Sequence, residues 1–320
     1  MPVSSPFRAI GPVEWIALIT LSIIWGGSYL FMKIAVGFLP VFTIVFARVA
    51  FGAMTLGAIL LVSGLQLPKG WVKWRAFLGM GLLNNVIPMS LIVFGTHSIS
   101  AGLASIINAM TPIFTLMFAH LLTTDERLTA YKLIGIGLGF CGVIVLIGPG
   151  LLLNIDASVI GELACVAASI SYATSNIFGR RFVSMGLKPL EIAFGQVSSS
   201  SLILLPLACW VDQPWTLALP PIYAILSVVA LGMLCTRIAY LLFFHVLTRS
   251  GAVAIALVTL LIPPSAITLG AVVLGEPISA QNLIGMALIA IGLMAVNRRK
   301  ALIKAQDDET LLQPVHKLRV

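Results

Sequence analysis

The chain has 320 residues, of which 59% are hydrophobic and only 9% charged, with a mean hydropathy of +1.08. A soluble domain needs roughly 25% charged residues to cover its core, so this composition excludes a water-solvated globule and makes lipid the solvent for most of the chain. The net charge of +8 and the pI near 9.6 do not mark a nucleic-acid binder, because the Lys and Arg residues fall between apolar runs and form no basic face.

Ten apolar runs follow one another, at Trp15 to Met32, Val41 to Val62, Ala76 to Phe94, Ala101 to Leu122, Leu133 to Ile147, Val159 to Phe178, Leu190 to Val211, Ile222 to Phe244, Ala252 to Leu274 and Leu283 to Val296. Each is close to the roughly 20 apolar residues that cross the hydrocarbon, where a helix satisfies its own backbone. The first run follows Arg8 but is too long for a signal peptide and ends in no small-residue cleavage site, so it stays as the first spanning helix. Polar or Gly/Pro breaks such as Gln66 to Lys73, Thr123 to Thr129 and Asp212 to Pro221 separate the runs. With the amino terminus inside, the cytoplasmic segments hold 16 of the 19 Lys and Arg residues, and the opposite face holds only Lys33. That asymmetry places both termini in the cytoplasm. Residues 298–320 read as a polar, mixed-charge cytoplasmic tail, and Cys141, Cys165, Cys209 and Cys235 read as free thiols, each within a separate apolar run.

The chain repeats itself. A shift of 148 carries Glu14 onto Glu162, Ser28 onto Asn176, Lys33 onto Arg181, and Ile44, Phe46 and Val49 onto Ile192, Phe194 and Val197. A shift of 150 carries Glu126, Ala130, Leu133, Ile134, Gly135 and Gly142 onto Glu276, Ala280, Leu283, Ile284, Gly285 and Gly292. Five spans per unit is an odd number, so the second unit enters the membrane from the opposite side. The expected fold is all-α and membrane-integral, with ten transmembrane helices in two inverted five-helix repeats, 13–150 and 158–297. Two such halves can rock about a central site and expose it to each side in turn.

The segment Gly251-Ala252, Pro263, Leu274-Gly275-Glu276-Pro277-Ile278, Leu283-Ile284-Gly285 and Gly292 resembles the carboxy-terminal repeat of the EamA-type branch of the drug/metabolite transporter superfamily. Ala101-Gly102, Pro112, Glu126, Leu128-Thr129 and Gly135 carry the parallel pattern in the first half, and Cys235-Thr236 with Ala239-Tyr240 resembles the family's eighth helix. The resemblance implies a central cavity walled by helices 1 to 4 and 6 to 9, with 5 and 10 outside it, in a bacterial inner membrane. It implies no particular solute. Arg237 departs from the pattern, standing where small or apolar residues are more usual.

Arginine inside a span costs at least about 2.5 kcal/mol to insert, so Arg48 and Arg237 are expected to face a polar cavity or a partner. A guanidinium matches a carboxylate or phosphate with two parallel bonds, which favours an anionic or zwitterionic solute. Gln196 is the repeat counterpart of Arg48, and Asn84 and Asn85 lie about a turn from the position related to Arg237. Trp25, Ser28 and Tyr29 share one face of the first span, and Ser169, Tyr172 and Asn176 share one of the sixth. Asn108 and Tyr240 complete the candidate substrate-binding set, against the alternative that these polar groups only bond helix to helix. Glu14, Glu126, Glu162 and Glu276 sit at helix ends, and no acid lies at mid-membrane, which weakens the reading as an exporter of cationic drugs. Gly137, Gly139 and Gly142 spell a dinucleotide fingerprint without a preceding strand and read instead as a close-packing helix surface. No metal, cofactor or nucleic-acid partner is expected. The sequence therefore predicts a secondary carrier of a small polar metabolite, of amino-acid or organic-acid type, working in export. The alternatives are an exporter of hydrophobic or cationic drugs and an intramembrane enzyme acting on a lipid-linked substrate, and the oligomeric state stays open.

Overall fold

The computed structural model describes residues 11–64, 69–122, 129–153 and 156–312, and within them the side chains of all but 148–153, 237, 240, 244, 247–248, 250–256 and 297–312. Among the described residues nine helices are long and apolar enough to cross a membrane: α1 Pro12–Val36, α2 Val41–Val62, α3 Trp71–Ser98, α4 Ala101–Leu122, α5 Ala130–Ile147, α6 Ala157–Ser184, α7 Pro189–Asp212, α8 Ile222–Phe243 and α9 Leu257–Leu274. A shorter apolar helix, α10 Ala280–Val296, completes the ten, and no strand occurs among the described residues. The backbone helix of α10 continues into the tail as far as Leu312.

Local chemistry sets the ends of these helices. Pro12 opens α1, where its missing N–H costs nothing. Ser100 caps α4 by accepting from the Leu103 N–H at 3.1 Å. Asp156 caps α6 by accepting from the Ser158 and Val159 N–H groups, both at 3.0 Å, and these bonds hold its carboxyl below the usual carboxylate range. Gly275 ends α9 in the left-handed region at φ 67°, where a side chain would be strained.

Two features were not visible in the apolar runs. First, α3 and α8 are each interrupted by a π-helical turn, at Leu82–Val86 and Met233–Ile238. Second, helical backbone persists from Ala239 to Leu274, yet this stretch folds back on itself along α1. The Cys235 thiol donates to the Ile24 carbonyl at 3.3 Å, and Arg249 pairs with Glu14 at 3.8 Å. A Cβ built at Gly26 would then meet Ser265, so α8 descends to the start of α1 and α9 climbs back.

The packing reveals the symmetry. Helix α1 is flanked by α8 and α9, and α6 by α3 and α4, while α2 pairs with α7 and α5 with α10. In the last pair a Cβ built at Gly135 would lie 2.6 Å from the Gly292 carbonyl oxygen, and one at Gly142 would lie 2.9 Å from that of Gly285. The repeat carries Gly135 onto Gly285 and Gly142 onto Gly292, so each contact is the other with its partners exchanged. Rising along α5 means descending along α10. Equivalent helices therefore run in opposite directions, and the molecule is two inverted five-helix repeats around a two-fold axis in the membrane plane.

Small residues make this crossing possible, because lipid supplies no hydrophobic force between helices and close backbone approach must supply attraction instead. Gly137, on the far face of the same helix, meets nothing within 4 Å. Replacing Gly135 or Gly142 by leucine is expected to destabilise the protein by about 1–3 kcal/mol, while Gly137→Leu changes stability by less than about 0.5 kcal/mol. Thermal unfolding of the three purified variants in one detergent checks the ordering.

Candidate functional site

Arg48 lies half-buried on α2, in the middle of an otherwise apolar stretch. Its Nη1 donates to the Met32 sulfur at 3.7 Å, and its buried Nε has no hydrogen-bond partner among the described residues. The guanidinium lies within electrostatic reach of the Tyr29 and Tyr172 phenols and the Cys235 thiol. Tyr29, buried on α1, accepts from Asn108 Nδ2 at 2.7 Å. Ser169 of α6 donates to the Cys165 carbonyl at 3.0 Å and also lies 3.1 Å from the Ile107 carbonyl and 3.5 Å from Asn108 Oδ1. Helices α1, α2 and α4 of the first repeat thus meet α6 and α8 of the second at one polar cluster. Of the residues singled out from sequence, Arg48, Tyr29, Asn108 and Tyr172 come together here.

A second polar group occupies the seam between α3, α6 and α7. Asn84 Nδ2 donates to Gln196 Oε1 at 3.3 Å, and its Oδ1 accepts from Ser175 Oγ at 2.9 Å. Asn85, 1% exposed, donates to Ser200 Oγ at 2.8 Å, and Ser200 donates to the Gln196 carbonyl at 2.6 Å. Ser171 Oγ donates to the Leu83 carbonyl at 2.7 Å, inside the π turn. The turn displaces the carbonyls from their usual partners, and serines of the neighbouring helix meet them. Ser171, Ser175 and Ser200 were missed as partners, because serine in an apolar run also signals close packing. Their signal was their position opposite an Asn-Asn pair.

The remaining candidates sit apart. Trp25 packs on Phe243 with ring centroids 5.9 Å apart, and Ser28 donates to the carbonyl of Trp25 in its own helix at 2.6 Å. Asn176, exposed on α6, donates to Thr115 Oγ1 at 3.1 Å. Arg237 falls in the π turn of α8 and Tyr240 just beyond it, and their side chains lie outside the described ones.

At the end of the bundle that carries residues 37–40 and 275–279, charged groups hold helix ends. Lys33 Nζ donates to the Thr96 and Ile99 carbonyls at 2.7 and 2.9 Å, closing the end of α3. Glu276 accepts from the Ala101 N–H at 3.0 Å, opening α4, and Asp212 accepts from the N–H and hydroxyl of Thr43 at 2.6 and 2.9 Å, opening α2. These last two ties join the two repeats. Two cavities lie away from the polar cluster. One of about 360 Å³ runs along the end of α2 from Met54 to Val62 and the Ser63 that caps it, the other is a void of about 10 Å³ between α4, α9 and α10, and both are lined mainly by apolar groups. Among the described residues no three His, Cys, Asp or Glu side chains gather as metal ligands would.

Inverted halves with a shared polar cluster are the plan of a carrier, and the sequence comparison agrees. Residues 14–148 and 159–298 each match the EamA-like transporter family. The chain belongs to this family. As an EamA-like protein it is an integral membrane transporter, which sets aside the intramembrane enzyme. An uncharacterized inner membrane transporter, YedA of Escherichia coli, is 26% identical over 94% of this chain and 95% of its own. The uncharacterized transporter YoaV of Bacillus subtilis is 24% identical over 87% of this chain and 94% of its own. A protein of Escherichia coli named a probable amino-acid metabolite efflux pump is 26% identical over 85% and 90%. A crystal structure at 20% identity superposes with a TM-score of 0.64 over 91% of this chain and 98% of that one, which shows a shared fold.

The amide seam and the arginine cluster make different demands. Asn85→Leu removes a buried donor from Ser200 and is expected to cost about 1 kcal/mol of stability while leaving flux per folded molecule unchanged. Parallel thermal unfolding and liposome transport separate the two effects.

Proposed function

We propose that the protein is a secondary carrier of a bacterial inner membrane that exports a small zwitterionic or anionic metabolite, of amino-acid or organic-acid type, by alternating access. Its moving parts are the repeats 13–150 and 158–297, with both termini and the tail 298–320 in the cytoplasm. The observation that carries this reading is Arg48: a guanidinium inside the bundle, where the two repeats meet, with no carboxylate partner among the described residues. A fixed positive charge there favours a solute that brings negative charge with it. Tyr29, Tyr172 and Asn108 line the same place with rings and hydrogen-bonding tips. The efflux named for the Escherichia coli relative supports the direction of transport, and the excess of Lys and Arg supports the orientation.

Saturable flux of an amino acid or organic acid into liposomes holding the purified protein is expected, and Arg48→Ala should reduce kcat/KM by about tenfold or more. Flux that does not saturate, or a variant with unchanged kinetics, would refute the reading. Asp212 and Glu276 tie the repeats at the end assigned to the periplasm, so alternating access requires both ties to break there. Combining Asp212→Asn with Glu276→Gln weakens both acceptors, and labelling of a Leu39→Cys variant by an impermeant maleimide should become faster.

A further inference from the structure

The two-fold axis makes a comparison available that the sequence shifts alone did not fix. A Cβ built at Gly81 would lie 2.9 Å from the Gln196 carbonyl oxygen, and one at Gly232 would lie 3.2 Å from that of Arg48. Asn85 bonds to Ser200, and a Cβ at Gly52 would lie 3.0 Å from Thr236 Cγ2. These are exchanged pairs, and they set the step from α3 to α8 at 151, three more than the step of 148 from α2 to α7. The π turns then coincide, and Val86, one residue beyond the Asn84-Asn85 pair, is the counterpart of Arg237.

On this register the amide seam has a counterpart made of different residues. Gln196, Asn84, Asn85, Ser200, Ser175 and Ser171 become Arg48, Cys235, Thr236, Gly52, Gly27 and Ile23. In the first place every amide is met by a neighbour. In the second, the two short polar side chains are spent on backbone, Cys235 on the Ile24 carbonyl and Thr236 on the Leu231 carbonyl at 3.2 Å. Arg48 replaces a neutral amide by a cation with five N–H donors, and the glycines and the isoleucine offer it no acceptor. Its one donated bond among the described residues goes to a thioether, a weak acceptor.

We infer that Arg48 binds the oxyanion of a small soluble solute, a carboxylate or a phosphate, at the place where the repeats have lost their likeness. The inference rests on the carrier reading and narrows its site to one of two equivalent positions. The solute's oxygens complete in the Arg48 half what Asn84, Gln196 and the serines complete in the other. A planar guanidinium takes such a group with two parallel bonds, which an ammonium does not. The amide half holds helices together and takes no solute.

The test transplants one half onto the other. The full-length protein in detergent is unfolded thermally with L-alanine, L-alanine methyl ester, succinate, inorganic phosphate or added phosphatidylglycerol. The wild type is expected to be stabilised by a soluble carboxylate or by phosphate, and not by the methyl ester. The variant Arg48→Gln/Gly52→Ser/Cys235→Asn/Thr236→Asn places the three amides of the seam and the Ser200 counterpart in the Arg48 half and should lose that stabilisation. Arg48→Lys, which disturbs packing less, should keep it with affinity weakened by about tenfold or more. Full stabilisation of the transplanted variant overturns the inference, as does equal stabilisation by acid and methyl ester, or stabilisation by phosphatidylglycerol alone. If the oxyanion effect behaves as expected but liposomes show no flux of the stabilising solute, the site stands and the carrier reading fails.

Discussion

Lipid offers no hydrogen bonds, and every polar group placed in it must find a partner inside the protein. Most of this molecule is organised by that constraint. Serines and threonines in the spans turn back on carbonyls three or four residues earlier, as Ser22 does on Leu18, Thr55 on Phe51 and Ser265 on Leu261. The displaced carbonyl of Leu83 is met by Ser171, and the open ends of α2, α3 and α4 are met by Asp212, Lys33 and Glu276. Against this thrift Arg48 stands out, since its charge is the costliest group in its helix and its buried Nε has no partner among the described residues.

The second organising fact is the exchange of partners across the axis. Because Gly135 meets Gly292 while Gly142 meets Gly285, the interface between α5 and α10 is shaped by both copies at once. Helices α2 and α7 make the same kind of self-pairing nearer the polar cluster. Polar ties between the halves accompany this packing. Glu276 and Asp212 are such ties at one end, and the ion pair of Glu14 with Arg249 is one at the other.

Much of the fold was legible in the sequence because lipid imposes length and apolarity directly on each span. The ten runs, the odd number per repeat and the matched Gly135/Gly285 and Gly142/Gly292 pairs led to the architecture without further help. The site was legible only in part. Arg48 was conspicuous by its charge, and Tyr29, Asn108 and Tyr172 by their faces, but nothing linear showed that Ser28 would bond within its own helix or that Trp25 would turn to Phe243. The π turns were invisible because an extra residue changes neither hydropathy nor helical propensity. The three residues that lengthen the step from 148 to 151 fall before those turns, between the α2/α7 pair and the α3/α8 pair, and a shift read from the apolar runs alone misplaces the counterpart of Arg237 by about a turn.

Those two turns also mark the repeat. Each holds surplus chain within a helix, and each sits just after an equivalent glycine, Gly81 in one copy and Gly232 in the other. The two bulges thus occupy equivalent places across the axis, as do Arg48 and Gln196, so the same irregular backbone frames an amide in one half and a cation in the other.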